Sequence, residues 1–398
     1  MIFTNLYIDN LYSFKNSNLL LSFVRPPVDS GMMVDEYLDG RDKFYFKKAC
    51  LISGANATGK TSLGKILLGI QIFVSRKQLN SEYLSICDKT KSGQIIVDFV
   101  TPDDFLLHRL HLEIEEKNNT QIISKIKYGR IYIRKDDSCR IATGRLDELF
   151  DCGVSDSIKS YYLDSDILGV SSAYESFTKE YFYGGWHYIF SENEEATTTL
   201  NDLDFDILSK ILKTFDTSIK NVVNLTSNED EHDINGFAVR FNNGDSPLIG
   251  KDGKTTDMNR FSRGTFESIK VAHLLSRIIS DRELENNNAS FVNSTYFLDE
   301  KMAYCHSELE KIVLTLLIDK LPRYGQLFYT THNYDVLDLR LPPHNYTFTK
   351  KNEKGETEFI DAVSLAKKND RSLKALVRSN YFETDPDSTL LLELLLED

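Results

Sequence analysis

The pattern of apolar and polar positions along the chain predicts a protein of the α/β class. Alternating apolar residues indicate strands at residues 2–8, 94–100 and 106–114. Strand-like runs at residues 122–127 and 129–134 continue the series into a meander. Strands that follow one another closely in sequence pair as antiparallel neighbours, so we expect an antiparallel β lobe in the N-terminal third.

A second pattern, in which an apolar strand is followed by an amphipathic helix, occurs on either side of this lobe. Residues 49–52 form a short apolar run that precedes helically spaced apolar residues between positions 59 and 75. A strand at residues 295–300 likewise precedes a helix that opens near His306, and a further strand follows at residues 326–333. This alternation predicts a mixed sheet covered by helices.

The loop after residues 49–52 matches the pattern G-x-x-x-x-G-K-[ST] at every fixed position. Its glycines let the backbone wrap a phosphate, and the amides of the loop and of the helix N-terminus point at the anion. Lys60 supplies a positive charge to the β- and γ-phosphates, and the Thr61 hydroxyl is a ligand for Mg²⁺. The residues assigned to nucleotide binding are Gly54, Asn56, Ala57, Thr58, Gly59, Lys60, Thr61 and Ser62.

Two carboxylates end the apolar strand at residues 295–300. Asp299 is predicted to hold Mg²⁺ directly or through water, and Glu300 to orient and deprotonate the water that attacks the γ-phosphate. His332, at the end of the next strand, is placed to hydrogen-bond the same phosphate. Taken alone, the two carboxylates fit a solvated strand end as well as a catalytic pair, and a lone histidine is more often structural. Together with the phosphate loop they predict a catalytic group of Lys60, Glu300 and His332.

A short turn, Ser262-Arg263-Gly264-Thr265, stands at the start of the helix that precedes the carboxylate strand. A hydroxyl, a flexible amide and a helix N-terminus can together engage a γ-phosphate. The same residues also form an ordinary helix N-cap, and the sequence leaves both explanations open.

Composition narrows the possible functions. The chain has 47 Lys+Arg against 60 Asp+Glu and a net charge of −13, which does not suit a protein that coats nucleic acid nonspecifically, although a local basic groove is compatible with it. The five scattered cysteines are typical of reduced thiols, and no apolar run is long enough to span a membrane, so we expect a cytoplasmic protein. His108 and His111 lie three residues apart in a strand and face opposite sides, which argues against a metal site.

The chain divides into an N-terminal lobe at residues 1–144, an insertion at residues 145–216 and a C-terminal lobe at residues 217–398. The insertion is rich in Tyr, Phe, Ser and Asp and has few long β-runs, which predicts a largely helical segment. Its aromatic stretch at residues 181–186 is either a packing cluster or a contact surface for a partner. No heptad pattern continues far enough for a long coiled coil.

The order of these motifs resembles that of ABC-type P-loop ATPases, in the branch that contains RecF, SMC proteins and the OLD-like nucleases. The resemblance extends over nearly the whole chain, and the tail is similar to that of stand-alone ATPases from bacterial phage-defence (abortive-infection) systems. It implies an ABC-type ATPase head, with a mixed sheet and an antiparallel β lobe, that hydrolyses ATP with Mg²⁺. It also implies a homodimer or higher homo-oligomer in which ATP is sandwiched between subunits.

The family roles transfer residue by residue. By resemblance, Lys60 and Thr61 are the Walker A lysine and threonine, Asp299 and Glu300 the Walker B pair, and His332 the switch histidine. The signature that acts in trans is Ser262, Arg263, Gly264 and Thr265. Arg263 in place of a small residue and Lys301 after the catalytic glutamate depart from the family pattern. The Q-loop glutamine has only a candidate region, at residues 161–169.

Three functions fit the resemblance. The first is an ATPase sensor or switch that controls a separately encoded effector, such as a TOPRIM-type nuclease, in antiviral defence and responds to a phage-encoded trigger. The second is a RecF-like DNA-repair ATPase that binds DNA directly, and the third is a scaffold that binds ATP without hydrolysing it. A nuclease within this chain is disfavoured, because the D-x-D at residues 164–166 lacks further carboxylates.

The leucine-rich tail at residues 390–396 also has two interpretations. It is either a docking surface for a partner or a terminal helix packed on its own core. We prefer the packed helix, since an apolar helical face ordinarily covers the core of its own chain.

Overall fold

The computed structural model describes residues 1–15, 20–26, 36–76, 83–152, 160–166, 187–191, 203–225, 236–250, 253–288, 294–339, 341–363, 372–385 and 389–394. Its strands are β1 (Ile2–Asp9), β2 (Leu20–Ser22), β3 (Tyr37–Leu38), β4 (Arg41–Tyr45), β5 (Ala49–Gly54), β6 (Gly93–Thr101), β7 (Leu106–Lys117), β8 (Thr120–Tyr132), β9 (Ser160–Asp166), β10 (His187–Phe190), β11 (Ile219–Leu225), β12 (Gly236–Phe241), β13 (Leu248–Gly250), β14 (Ser294–Asp299), β15 (Gln326–Thr331), β16 (Tyr346–Lys351) and β17 (Thr357–Asp361). Its α-helices are α1 (Lys60–Arg76), α2 (Cys139–Cys152), α3 (Phe205–Phe215), α4 (Arg263–Asn288), α5 (Ser307–Lys320), α6 (Leu373–Arg378) and α7 (Thr389–Glu393).

One six-stranded sheet, in the order β10-β14-β15-β5-β16-β17, carries the motif residues. Its first five strands run parallel to one another, and β17 is antiparallel to β16. The carboxyl ends of parallel strands meet at one edge of a sheet. The ends of β5, β14 and β15 therefore bring Gly54, Asp299 and Thr331 to the same edge. The predicted mixed α/β fold is confirmed.

Both faces of this sheet are covered, because successive residues of each strand point to opposite sides. Cys50 and Ile52 of β5 pack on the side of α1 and the strands β1, β6 and β7. Ala49 and Leu51 pack on the other side, with apolar residues of α3, α4 and α5. A sheet buried on both faces needs apolar residues at every position, which explains the unbroken apolar run at β5.

A second six-stranded sheet, in the order β2-β1-β6-β7-β8-β9, is antiparallel throughout and confirms the predicted antiparallel lobe. The prediction of two strands at residues 122–127 and 129–134 was wrong, since the single strand β8 runs without a break from Thr120 to Tyr132. Tyr128, where we placed the break, is buried, and its hydroxyl lies 2.7 Å from His108 Nδ1. Gly129 stays in the ladder opposite Arg109.

Much of the predicted insertion at residues 145–216 lies outside the described residues, including the aromatic stretch at 181–186. Its described parts include helical residues of α2 and α3 and two strands that join different sheets. β9 pairs with β8 in the antiparallel sheet, and β10 pairs with β14 in the parallel sheet. The domain boundaries themselves stay a prediction.

Two further predictions concern the tail and the histidine pair. Leu391, Leu392 and Leu394 are 54% to 69% exposed, so the prediction that the tail packs on its own core was wrong for these residues.

His108 is fully buried between Tyr128 and Thr101, whose hydroxyls lie 2.7 and 2.9 Å from its ring nitrogens. It is thus a structural histidine of the antiparallel sheet.

Within the described part of the chain, the structure has no helix with the length and apolar character needed to cross a membrane.

Candidate nucleotide-binding site

The glycine-containing loop leaves the end of β5 and enters α1. Gly54 packs so closely on β16 that a Cβ atom there would lie 2.2 Å from the backbone oxygen of Thr349. Gly59 has φ of +96°, in the left-handed region where side chains are strained. These two constraints explain the fixed glycines of the motif. They leave Asn56 and Ala57 exposed at the tip of the loop.

Thr58 anchors the middle of the loop to the neighbouring strands. Its hydroxyl donates to the Ala55 backbone oxygen at 2.8 Å and lies 2.7 Å from the Thr349 hydroxyl of β16. The Thr357 hydroxyl of β17 donates to the Thr58 backbone oxygen at 3.0 Å. The loop is therefore held from the side of the sheet opposite to β15. Sequence analysis missed Thr349 and Thr357, although threonines in otherwise apolar or charged strands were a visible signal.

Lys60 is buried at the first position of α1, with 3% of its surface exposed. Its Nζ donates to the backbone oxygens of Gly54 and Ala55, both at 2.9 Å, and lies 3.3 Å from Glu300 Oε1. Burial lowers the pKa of Lys60, and the attraction of Glu300 opposes this. The ammonium thus lies inside the curve of the loop, next to the predicted catalytic base.

Thr61 and Asp299 meet across the gap between α1 and the end of β14. The Thr61 hydroxyl donates to Asp299 Oδ2 at 2.5 Å, and the buried Thr330 hydroxyl donates to Asp299 Oδ1 at 2.5 Å. The Ser191 hydroxyl, just after β10, accepts from the Asp299 backbone amide at 2.9 Å. A hydroxyl and a carboxylate are hard oxygen donors, and Mg²⁺ typically takes one or two protein ligands of this kind and keeps its waters. Thr61 and Asp299 therefore fit the metal site predicted for them.

Glu300 follows β14 with φ of +51°, an uncommon conformation for a residue with a side chain. Its backbone amide donates to Thr330, at 3.1 Å to the hydroxyl and 3.3 Å to the backbone oxygen. The turn directs the half-buried carboxylate towards Lys60 and His332. The contact with His332, together with the charge of Lys60, lowers the pKa of Glu300 against the opposing effect of burial. The group is therefore held as a carboxylate.

His332 bridges the loop and the predicted base. Its Nδ1 lies 2.7 Å from the Gly54 backbone oxygen and its Nε2 lies 2.8 Å from Glu300 Oε1. Lys60 Nζ also lies 3.5 Å from Nδ1, so the ring is in contact with the loop, the ammonium and the carboxylate. The structure thus brings Lys60, Glu300 and His332 together, as the sequence predicted.

The turn at residues 262–265 forms a helix cap in this chain. The Thr265 amide donates to the Ser262 hydroxyl at 3.1 Å, and the Thr265 hydroxyl donates to Asp216 at 2.9 Å. Ser262 and Arg263 are exposed, and the Arg263 guanidinium lies 4.0 Å from the centroid of the Tyr304 ring. These contacts cap the helix and reach Asp216 and Tyr304, and none of them joins the turn to the phosphate loop.

The candidate Q-loop region is placed away from this site. Its described residues, up to Asp166, belong to β9 at the edge of the antiparallel sheet. The neighbour of β14 on the side away from β15 is β10, and Ser191 just after β10 contacts Asp299. Sequence analysis missed Ser191 and Thr330, both of which contact Asp299. Thr330 could have been found, because it directly precedes Thr331 and His332 at the end of the predicted strand.

No protein-family model matches the sequence, and no curated protein matches it. Among solved structures, the chain is similar to an SMC head bound to the C-winged helix domain of ScpA, with 12% identity and a TM-score of 0.45 over 90% of this chain and 98% of that one. It is also similar to the SMC head domain from Thermotoga maritima, with 12% identity and a TM-score of 0.36 over 91% and 99% of the two chains. A structure of the recombination mediator protein RecF-ATPrS gives 12% identity and a TM-score of 0.40 over 90% and 98%. At these values the likeness carries no argument about activity or partners.

Proposed function

We propose that this protein is an ABC-type ATPase that hydrolyses ATP with Mg²⁺. The observation that supports this is the meeting of Lys60, Thr61, Asp299, Glu300 and His332 at the carboxyl ends of the neighbouring parallel strands β5, β15 and β14. Such a site offers a positive charge for phosphate oxygens, hard oxygen ligands for a metal and a carboxylate base side by side.

The contacts support a role for each side chain. Lys60 and the loop amides neutralise phosphate oxygens, while Thr61 and Asp299 would hold Mg²⁺, which when bound withdraws charge from the phosphoryl group. Glu300 accepts the proton of the attacking water, and its lowered pKa keeps it ionised at neutral pH. His332, 2.8 Å from Glu300 Oε1, orients that carboxylate.

Substitution of Glu300 by glutamine tests this assignment. Glu300→Gln keeps the shape of the side chain and removes the base, so we expect phosphate release from ATP to fall about 100-fold or more. Glu353→Gln, on the exposed turn between β16 and β17, is the matched control and keeps wild-type turnover. If Glu300→Gln turns over ATP at the wild-type rate, the proposed mechanism fails and a scaffold that binds ATP without hydrolysing it is favoured.

The proposed ATP site is completed by a second subunit. Ser262, Arg263, Gly264 and Thr265 would engage the γ-phosphate held by the partner's loop, in a head-to-tail homodimer or higher homo-oligomer. In support, Ser262 and Arg263 are exposed at the N-terminus of α4, which has 26 residues, and helix N-termini attract anions. The capping bond made by Ser262 leaves the turn preformed for such a contact.

In the cell, we propose that the ATPase is a cytoplasmic sensor or switch that controls a separately encoded nuclease in anti-phage defence. In support, Asp164 of the D-x-D pattern makes ion pairs with Lys125 and Lys127, at 3.6 and 3.5 Å. The part of the chain that the structure describes has no cluster of three or more His, Cys, Asp or Glu residues that could hold a metal. Nuclease chemistry is thus better supplied by a partner.

Co-purification with the product of the adjacent gene, and phage plating with and without both genes, test this role. We expect the two proteins to elute together and plating to fall only when both are present. If neither occurs, the defence role is wrong. Steeply salt-dependent binding of duplex DNA by this protein alone would instead favour a RecF-like repair ATPase.

A further inference from the structure

A buried carboxylate outside the catalytic group accepts three hydrogen bonds from one strand end. Glu310, in α5, is 2% exposed. Its Oε1 accepts from the Tyr329 hydroxyl at 2.5 Å and from the Thr331 hydroxyl at 2.8 Å. Its Oε2 accepts from the Asn333 side-chain amide at 2.6 Å. Burying a charge is costly, and a network that satisfies both oxygens specifies one arrangement of its partners.

The partners of Glu310 alternate with the residues of the catalytic face. Side chains of a strand point alternately to its two sides, so Tyr329 and Thr331 face α5. Between and beyond them, Thr330 contacts Asp299 and His332 contacts the loop and Glu300. Glu310 thus binds one side of the segment at residues 329–333, and the opposite side of that segment carries Thr330 and His332.

The hydrogen bonds of Glu310 continue beyond the last residue of β15. Thr331, opposite Ser53, is the last residue of β15 in the ladder with β5. His332 follows it and has no ladder partner there. Asn333 is instead held through its side chain by Glu310, while its backbone amide donates to the Thr331 hydroxyl at 3.0 Å. The position of His332 is therefore fixed on both sides by residues that Glu310 binds.

We propose that Glu310 is a positioning residue for His332, which sets the imidazole against Glu300 and the loop without contacting the nucleotide. This rests on the proposed ATPase function. It adds that the turnover step depends on a carboxylate in α5, on the far side of β15 from the phosphate loop.

The chemistry of the network dictates the substitution. In Glu310→Gln one oxygen is replaced by a donating amide group, so whichever way the amide is turned, either Asn333 or the hydroxyls of Tyr329 and Thr331 lose their acceptor. Asn333 cannot simply turn its side chain, because its Oδ1 accepts from the Asp335 backbone amide at 2.9 Å. Either Thr331 or Asn333 is displaced, and His332, which lies between them, moves with it.

Steady-state kinetics separate positioning from folding. We expect Glu310→Gln to lower kcat roughly 10- to 100-fold, because small misplacements of a catalytic group have effects of this size. KM for ATP changes little, since Lys60 and Thr61 keep their contacts. The matched control is Asp281→Asn. Asp281 is another fully buried carboxylate, which accepts from Ser294 and Tyr296 at the amino end of β14, and its variant is expected to lower Tm and leave kcat unchanged.

A double-mutant cycle with His332→Ala gives the decisive comparison. If Glu310 acts through His332, Glu310→Gln has no further effect on kcat in the His332→Ala background. If the two effects multiply, the proposal is overturned. Should Glu310→Gln fold poorly, Thr331→Val, which removes one donor, is compared with Thr331→Ser, which keeps it. Only the valine variant is expected to lower kcat.

The ring of His332 provides a readout independent of ATP turnover. In imidazole NMR spectra, Glu310→Gln is expected to shift the His332 signals and Asp281→Asn to leave them in place, with His332→Gln giving the assignment. Unshifted signals overturn the proposal whether or not ATP is hydrolysed. Absence of ATP turnover by the wild type, with shifted signals, overturns the proposed function alone.

Discussion

Glu300 combines an uncommon backbone conformation with a dense set of contacts. Its φ of +51° is costly for a residue with a Cβ atom, by about 1–3 kcal/mol, and such strain persists only where the surroundings enforce it. Here Thr330 enforces it, since its hydroxyl accepts from the Glu300 amide and donates to Asp299. A single buried threonine therefore fixes both carboxylates of the site.

Removal of that hydroxyl is expected to affect turnover more than binding. Thr330→Val has the same shape but removes the hydroxyl from Asp299 Oδ1 and leaves the Glu300 amide only its 3.3 Å bond to the backbone oxygen, so we expect kcat to fall at least about tenfold, as for other misplaced catalytic groups. Thr330→Ser keeps the hydroxyl and most of the activity. ATP affinity, measured with a fluorescent analogue, should stay close to wild type in both. Equal kcat values for Val and Ser would show that the hydroxyl has no part in placing the base.

At this scale, sequence analysis identified the groups that are proposed to contact phosphate or metal, because such chemistry restricts the residue types and their order along the chain. Lys60, Thr61, Asp299, Glu300 and His332 were identified in this way and are found together. Thr330, Glu310 and Ser191 were not identified. Their roles depend on which element lies behind or beside a strand, and no local pattern specifies that.

Among the elements, the apolar pattern predicted β5, β14 and β15, which position the site, and β1, β6 and β7 of the antiparallel sheet. It did not predict β10, whose four residues pair with β14 far along the chain. A strand of four residues is too short to show an alternation of apolar and polar side chains. Its place in the sheet is decided by long-range packing, for example of Phe190 on Phe297, with ring centroids 5.3 Å apart.

Two histidines of the antiparallel sheet, His108 and His111, make the stability of the fold depend on pH. Burial, with the nearby charge of Arg130, holds the pKa of His108 well below its usual value of 6.5. Burial, with Lys127 and Lys125, lowers the pKa of His111 to about 4. Below about pH 6.5 both histidines take up protons in the unfolded chain and stay neutral in the folded sheet. The contribution of these histidines to the free energy of unfolding is therefore fully present above about pH 6.5 and is lost as the pH falls below it.

We expect His108→Gln to flatten this decline. The amide can still contact the hydroxyls of Tyr128 and Thr101 but takes up no proton, so the variant loses the contribution of one histidine, at most about 1.4 kcal/mol per pH unit. Urea unfolding between pH 7.5 and 5.5 measures the slope. His111 stays in both proteins, so some decline remains. An identical slope in the variant and the wild type would contradict the assignment to His108.

For the whole molecule, the arrangement of the two halves of the proposed site bears on assembly. The loop, Asp299, Glu300 and His332 form a connected group, whereas Ser262 and Thr265 make their bonds within the cap and to Asp216. If the cap acts on ATP bound by another subunit, a variant with an inactive loop and a variant with an inactive cap can complement each other. A hybrid dimer of the two then has one site with an intact loop and an intact cap. Two inactive variants then become active when mixed.

Lys60→Ala and Ser262→Asp are suited to this mixing experiment. Aspartate is a good N-cap, so α4 stays capped while the new negative charge repels the γ-phosphate. Equal mixing before ATP is added should give a population in which half of the dimers are hybrids with one intact site, and thus roughly a quarter of wild-type phosphate release. Lys60→Ala mixed with Glu300→Gln is the control, since each hybrid site then carries one defect and no activity returns. Recovery in the control, or none in the test mixture of folded variants, would refute a site shared between subunits.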